Sequence, residues 1–227
     1  MKLSFNLETE LGTQSLQTDI QQLIVAGWAG RDHAAIEHHI EELAAIGVPR
    51  PSAVPLYYRV ASNQLSQEDN LQVIGEHSSG EVEAFVFAVA GEHYLSIASD
   101  HTDRKLEAYS VALSKQLCIK PVARSAWRLD EVADYWDELQ IRSRILENGA
   151  EVLYQDGSLS SLRSAQDLIA DYTGGPQLND GSGMTCGTVT VIGGIRPARV
   201  FEMELFDPRR QRSIRHRYSL SILPEIA

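Results

Sequence analysis

Apolar residues crowd most densely between Glu81 and Ser99, where EVEAFVFAVA and HYLSIAS flank Gly91-Glu92. Val, Phe, Ile and Tyr favour strands, and Gly91-Glu92 is the expected two-residue turn of a β-hairpin. That turn pairs Ala90 with His93 and, counted back along both strands, sets Glu83 directly opposite Asp100. Glu81 follows two residues along on the same face, because strand side chains alternate with period two. One face therefore reads Glu81, Glu83, Phe85, Phe87, Val89 and the other Val82, Ala84, Val86, Ala88, Ala90. A strand apolar on both faces is predicted to be buried.

Elsewhere the alternation predicts strands at Lys2–Leu7, Gln21–Ala26, Leu56–Val60 and Leu71–Gly75, the last within a polar connection, Ser62–Gly80. Leu139, Ile141, Ser143 and Ile145 alternate up to Asn148-Gly149, a strong hairpin signal, with Val152 and Tyr154 on the returning strand. Further strands are expected over Gly187–Gly193, Arg199–Phe206 and Ile214–Ile222, with a turn at Asp207-Pro208-Arg209. A 3.6-residue period predicts helices over Gly30–Ile46, ended by Gly47 and Pro49, over Leu106–Leu117, and over Ser161–Tyr172, ended by Gly174-Gly175-Pro176. Trp127–Leu139 reads as a turn entering a short acidic helix with Asp130 as its N-cap. The expected class is mostly β with short helices (α+β), one domain over residues 1–227. Within it, residues 1–22 form an N-terminal strand region and 23–227 the core.

Composition narrows the function. The 227 residues carry a net charge of −11, with 43% hydrophobic and 22% charged residues, as in an ordinary soluble domain. So acidic a chain is not expected to bind nucleic acid or an anionic membrane, and a small anionic ligand would need local positive charge. Two cysteines without a CxxC pair argue against a disulfide framework or a thiolate zinc site. No secretory leader or apolar span is read, and the expected location is cytoplasmic. GxGxxG, P-loop, GxSxG and HExxH motifs are absent.

Three carboxylates on one face of a hairpin repel, with neighbours about 4.5–5.5 Å apart at Cβ. Either solvent screens them on an outer face, or a hard divalent cation holds them. All-oxygen ligation suits Mg²⁺, Mn²⁺ or Ca²⁺ better than Zn²⁺. On the first helix His39 and Glu42 stand three apart, the spacing of a carboxylate-oriented general base. An exposed charged face that happens to contain histidines has the same spacing.

Glu81-Val82-Glu83 followed by Ser99-Asp100-His101-Thr102-Asp103-Arg104-Lys105 resembles the E-x-E strand and NDVTARD-like run of the fumarylacetoacetate hydrolase (FAH) superfamily, in a divergent, DUF2848-like branch. HHIEEL (His38–Leu43) is similar to that family's DHVREM-like helix, and Ser114-Lys115-Gln116-Leu117 to its AKSF-like segment. The run from Asn148-Gly149 through Gln155 to Leu162 is similar to its NGE-x-x-Q-x-G segment. The likeness extends in order from about Leu23 to the C-terminus. It departs at Ser99 and Lys105, where the family has Asn and Asp, and at Gly193-Gly194-Ile195 in place of a GTP motif. Arg59 replaces a lysine.

The resemblance implies an FAH-like β-roll of mixed sheets, with Glu81, Glu83 and Asp100 binding Mg²⁺, or else Mn²⁺ or Ca²⁺. It implies His39, Glu42 and Lys115 as catalytic residues and Arg59, Gln155 and Arg104 as contacts for a small anionic substrate. Asp103 could stand in for the aspartate missing at 105, and His101 could support the metal ligands or be a turn residue. The implied activity is hydrolytic C–C cleavage or decarboxylation of a 2-oxo acid or 1,3-dicarbonyl through a metal-stabilised enolate, in a homodimer. The alternatives are a non-catalytic, metal-dependent carboxylate binder, which the altered GTP motif favours, and a sugar-acid dehydratase or tautomerase.

Overall fold

The computed structural model describes residues 1–10, 12–45 and 50–226, and of His39, Glu42, Leu43 and Ala45 the backbone alone. Its long strands are β1 (Lys2–Thr9), β2 (Gly12–Asp19), β3 (Gln22–Gly27), β4 (Leu56–Val60), β5 (Asn70–Ile74), β6 (Val82–Val89), β7 (Glu92–Ser99), β8 (Ser125–Arg128), β9 (Gln140–Glu147), β10 (Ala150–Ser158), β11 (Ser182–Thr185), β12 (Val200–Asp207) and β13 (Arg212–Leu223). The helices are α1 (His33–Ala45), α2 (Arg104–Glu107), α3 (Val111–Leu117) and α4 (Ala165–Thr173). The chain is mostly β with short helices, as the pattern predicts.

Eight strands form one mixed sheet in the order β2-β1-β8-β7-β6-β11-β3-β4, and five form a second in the order β10-β9-β12-β13-β5. The central hairpin β6–β7 is buried on both faces, and its alternation divides the core. Val82, Ala84, Val86, Leu95 and Ile97 join Phe201, Met203 and Ile214 between the two sheets. Phe85, Phe87 and Ala98 face the other way, with Leu3, Phe5, Val25 and Val60. Phe5 stacks on Phe87 at 4.3 Å although β1 and β6 are not neighbours in the sheet. The large sheet thus curls around a second apolar interior.

The hairpin turns one residue earlier than expected. Ala90 and Gly91, at φ 53° and 78°, form the turn and Val89 pairs with Glu92, so Glu83 faces Ala98 and not Asp100. Two consecutive positive φ values match the right-handed twist of the strands, and here that demand places a non-glycine residue in the left-handed region. The Asp100 amide instead bonds the Glu81 carbonyl at 3.0 Å, so the aspartate adjoins Glu81. The paired numbers change their sum by two, which preserves parity, and the three carboxylates keep a common face.

Other differences are local. β2, GTQSLQTD, lacks an apolar stripe because it is an exposed edge strand whose pairing with β1 supplies its order. Helix is interrupted at Ala108–Ser110, where the Ser110 hydroxyl caps α3. Asp130 is not the N-cap; that position is Arg128, and Asp130 sits inside the 3₁₀ turn, paired with Arg128 at 2.8 Å. The strand expected over Gly187–Gly193 forms earlier, as β11, because Gly187 and Gly193 adopt φ 86° and 78° and leave the extended region. Ile46, Gly47 and Pro49, expected to end α1, lie outside the described residues.

Candidate metal centre

Glu81 and Glu83 enter β6 at the end where β7 leaves at Ser99-Asp100, at the rim of the curled sheet. One oxygen from each of Glu81, Glu83 and Asp100 lies within 4.8 Å of the others. Glu83 and Asp100 are buried and Glu81 is partly so. Gly187, in the loop after β11, donates its amide to Glu83 Oε2 at 2.9 Å. A Cβ there would meet Ala29 Cβ at 2.9 Å, and its φ of 86° disfavours any side chain, so glycine alone fits comfortably.

Three cations surround the carboxylates. Lys115, from the last turn of α3, donates to Asp100 Oδ2. Lys120 ion-pairs with Asp100 Oδ1 at 3.1 Å and donates to the His101 carbonyl. Arg104 pairs with Glu81 at 2.9 Å and with Glu107 at 2.9 Å, and also bonds the Ser79 hydroxyl. Burial alone would raise the Asp100 pKa, but Lys115 and Lys120 hold it well below the usual carboxylate range. Burial lowers the proton affinity of Lys115, yet Asp100, Glu81 and Glu83 outweigh it and keep the ammonium charged. Burial pushes Glu83 up to about 8, with the Asp100 charge adding to the effect.

This donor set fits a hard divalent cation. All three ligands are oxygens, and opposed ligand oxygens lie about 4 Å apart around Mg²⁺ and about 5 Å around Ca²⁺. A spread of 4.8 Å is of that size. Glu83 is the carboxylate the neighbouring cations leave least compensated, and a dication would replace its proton.

The remaining residues from the sequence reading divide. Lys115 and Arg104 join the cluster. Gln155 is fully buried, but its amide is committed inside the protein: it accepts from the Val82 amide at 3.0 Å and the Ser143 hydroxyl at 2.9 Å, and donates to Thr188 at 2.7 Å and the Val189 carbonyl at 2.8 Å. It braces β6 against β9 and the loop after β11. Arg59 pairs with Ile24 on the face toward the second sheet and bonds the Tyr172 hydroxyl at 3.2 Å, so it points away from the carboxylates. Its neighbour Tyr58, opposite Val25, takes the site-facing position, its ring centroid 5.6 Å from Lys115 Nζ. His39 and Glu42 lie on α1, and their side chains fall outside the described ones.

Asp103 does not join the cluster; it caps α2 by accepting from the Leu106 amide at 2.7 Å. His101 is buried, its Nδ1 3.0 Å from the Tyr218 hydroxyl, which also reaches Ser99 Oγ at 3.0 Å. Ser99 Oγ in turn accepts from the Glu81 amide at 3.2 Å. The second sheet thereby grips the ligand loop. Gly80 makes room for the grip, since a Cβ there would lie 2.6 Å from the Tyr218 hydroxyl. Burial, with Lys120 and Arg104 nearby, lowers the His101 pKa to about 3 and keeps it neutral.

A family model described as "Protein of unknown function (DUF2848)" matches residues 26–218. No curated protein matches the chain. Among solved structures it is similar to 2-keto-3-deoxy-D-arabinonate dehydratase complexed with magnesium and 2,5-dioxopentanoate, at TM-score 0.62 and 16% identity over 91% of this chain and 75% of that one. It is also similar to yeast ynq8, a fumarylacetoacetate hydrolase family protein, at TM-score 0.63 and 12% identity over 91% and 95%. A third likeness is to 4-oxalocrotonate decarboxylase from Pseudomonas putida G7, complexed with calcium and acetate, at TM-score 0.53 and 14% identity over 88% and 76%.

Proposed function

The chain belongs to the DUF2848 family and has the fold of the fumarylacetoacetate hydrolase superfamily, and we propose that it is a divalent-cation-dependent enzyme that breaks a C–C bond in a small 2-oxo acid or 1,3-dicarbonyl, by hydrolysis or decarboxylation. The observation that carries this reading is the convergence of Glu81, Glu83 and Asp100 within 4.8 Å at a rim lined by Lys115 and Arg104. Mg²⁺ is the proposed cation, the one named with the dehydratase. Glu81, Glu83 and Asp100 would hold it, and it would supply Lewis acidity toward a 2-oxo-carboxylate.

The chain's own residues do the rest. Glu83 would give up its proton to serve as a ligand, while Asp100 stays ionised beside Lys120. Lys115 presents positive charge at the rim, where negative charge develops on the substrate as the bond breaks. The Tyr58 ring borders that position, its centroid 5.6 Å from Lys115 Nζ. His39, three residues before Glu42 on α1, is the proposed base that takes a proton from the attacking water, with Glu42 as its proposed carboxylate partner. Arg104 keeps Glu81 in place and is a positioning residue.

The test is turnover. Purified protein with Mg²⁺ is offered acylpyruvates and oxaloacetate, and loss of the enol absorbance is followed beside Glu83→Gln. Turnover by wild type that EDTA and the substitution both abolish is expected. Binding of oxalate with metal but no turnover of any member would leave a carboxylate binder instead. A 2-keto-3-deoxy sugar acid belongs in the same screen, because a dehydratase is among the similar folds.

A further inference from the structure

Asp100 offers two side-chain oxygens, and lysines claim both. Lys115 donates a hydrogen bond to Oδ2, and Lys120 ion-pairs with Oδ1 at 3.1 Å without hydrogen-bonding it. The two lysines are not equivalent. Lys120 is fully buried, sits in a short strand pairing of Lys120-Pro121 with Leu65-Ser66, and also donates to the His101 carbonyl. Displacing it would strand a buried ammonium and a buried carbonyl together.

Lys115 is differently placed. It lies on the last turn of α3 and is itself buried, 6% exposed, while Leu113 and Leu117, two residues to either side, project from the solvent face of the helix. Among the described residues its ammonium makes a single hydrogen bond, the one to Asp100. The Tyr58 ring, 5.6 Å away, offers a second resting place for a cation. An ammonium and a dication drawn to one oxygen repel strongly at a site screened so little by water.

We propose that Lys115 and the divalent cation compete for Asp100 Oδ2, so that Lys115 yields the carboxylate when the cation binds and turns its ammonium toward the rim. Lys120 stays and holds Asp100 in place throughout. This rests on the metal-centre reading above and adds an order to it: the cation goes in first, and the anion-binding lysine is freed by that step. A small carboxylate would then meet a free ammonium only in the loaded protein.

Two measurements test the competition without using turnover. The first compares Mn²⁺ affinity of EDTA-treated wild type and Lys115→Met by calorimetry. Removing the competitor should tighten Mn²⁺ binding about tenfold while oxalate binding to the loaded protein is lost. The second uses wild type alone: brief acetylation with acetic anhydride, read by peptide mass spectrometry with and without Mn²⁺. Lys115 modification should rise several-fold with Mn²⁺ while Lys120 stays unmodified in both.

Equal or weaker Mn²⁺ binding by Lys115→Met, or Lys115 labelling that is unchanged or reduced by Mn²⁺, overturns the competition and leaves the metal centre standing. Mn²⁺ binding to neither protein removes the metal centre itself, and the competition with it.

Discussion

The outer face of the second sheet and the rim of the curled sheet use the same residue types to opposite ends. Outside, Arg217 on β13 pairs with Glu202 on the neighbouring β12 at 3.3 Å and reaches Glu151 on β10 at 2.5 Å, with Arg217 and Glu151 about half exposed and Glu202 less so. Arg215 and Arg142 similarly flank Glu204. All of these charges except Glu204, which is 8% exposed between its two arginines, have water as an alternative partner. At the rim, Glu83, Asp100, Lys115 and Lys120 have almost none, so each depends on the others for its charge. Exposed pairs mark a surface where substitution is cheap, whereas a buried cluster of like groups marks a place held ready for something else.

The contrast breaks most sharply at Lys120. Lys120→Met leaves Asp100 with one cation fewer and the His101 carbonyl without its donor. We expect a loss of about 3–5 kcal/mol in urea unfolding, and a loss below about 1 kcal/mol would place Lys120 with the outer pairs. The next effect depends on pH. Glu83 binds its proton more tightly folded than unfolded, so in EDTA-treated protein this stabilisation is complete below the ordinary carboxyl pKa. It fades as pH rises and is gone above about 8. The slope should amount to a fall on the order of 3 kcal/mol between pH 5 and 9. Glu83→Gln should flatten it; an unchanged slope would assign the titration elsewhere.

A smaller loss is expected where the second sheet grips the rim. Gly80→Ala forces apart the Tyr218 hydroxyl and the Phe201 ring, each under 3 Å from the new Cβ, and should cost about 1–3 kcal/mol with weaker Mn²⁺ binding. Stability lost with metal affinity intact would separate packing from ligand positioning. At the bottom of the scale, Arg217→Gln should change stability by less than about 1 kcal/mol, and less still in high salt.

The carboxylate face was legible in the sequence because its logic is local. Period two places Glu81, Glu83 and the residues leaving the partner strand on one side, and a turn shifted by one residue does not alter that. What depends on non-local contact was not legible. Arg59 reads as a substrate contact until strand parity against Ile24 turns it to the far face and brings in Tyr58. Lys120 resembles any solvated lysine, since lysines are rarely buried; only the return of Lys120-Pro121 beside Leu65-Ser66, next to Asp100, encloses it. Gln155 sits in a motif-like run, but its four internal hydrogen bonds come from three separate segments. β2 escapes pattern reading because an exposed edge strand needs no apolar stripe.

Calorimetric titration of EDTA-treated wild type and Glu83→Gln with Mg²⁺ and Mn²⁺, both at pH 8.5 (about the pH where Glu83 is free to ionise), tests the central claim most directly. One cation per chain bound by wild type, with affinity at least about a hundredfold weaker in the variant, is the predicted result. Equal, weak binding by both proteins would show that Glu81, Glu83 and Asp100 hold no metal and would contradict the account.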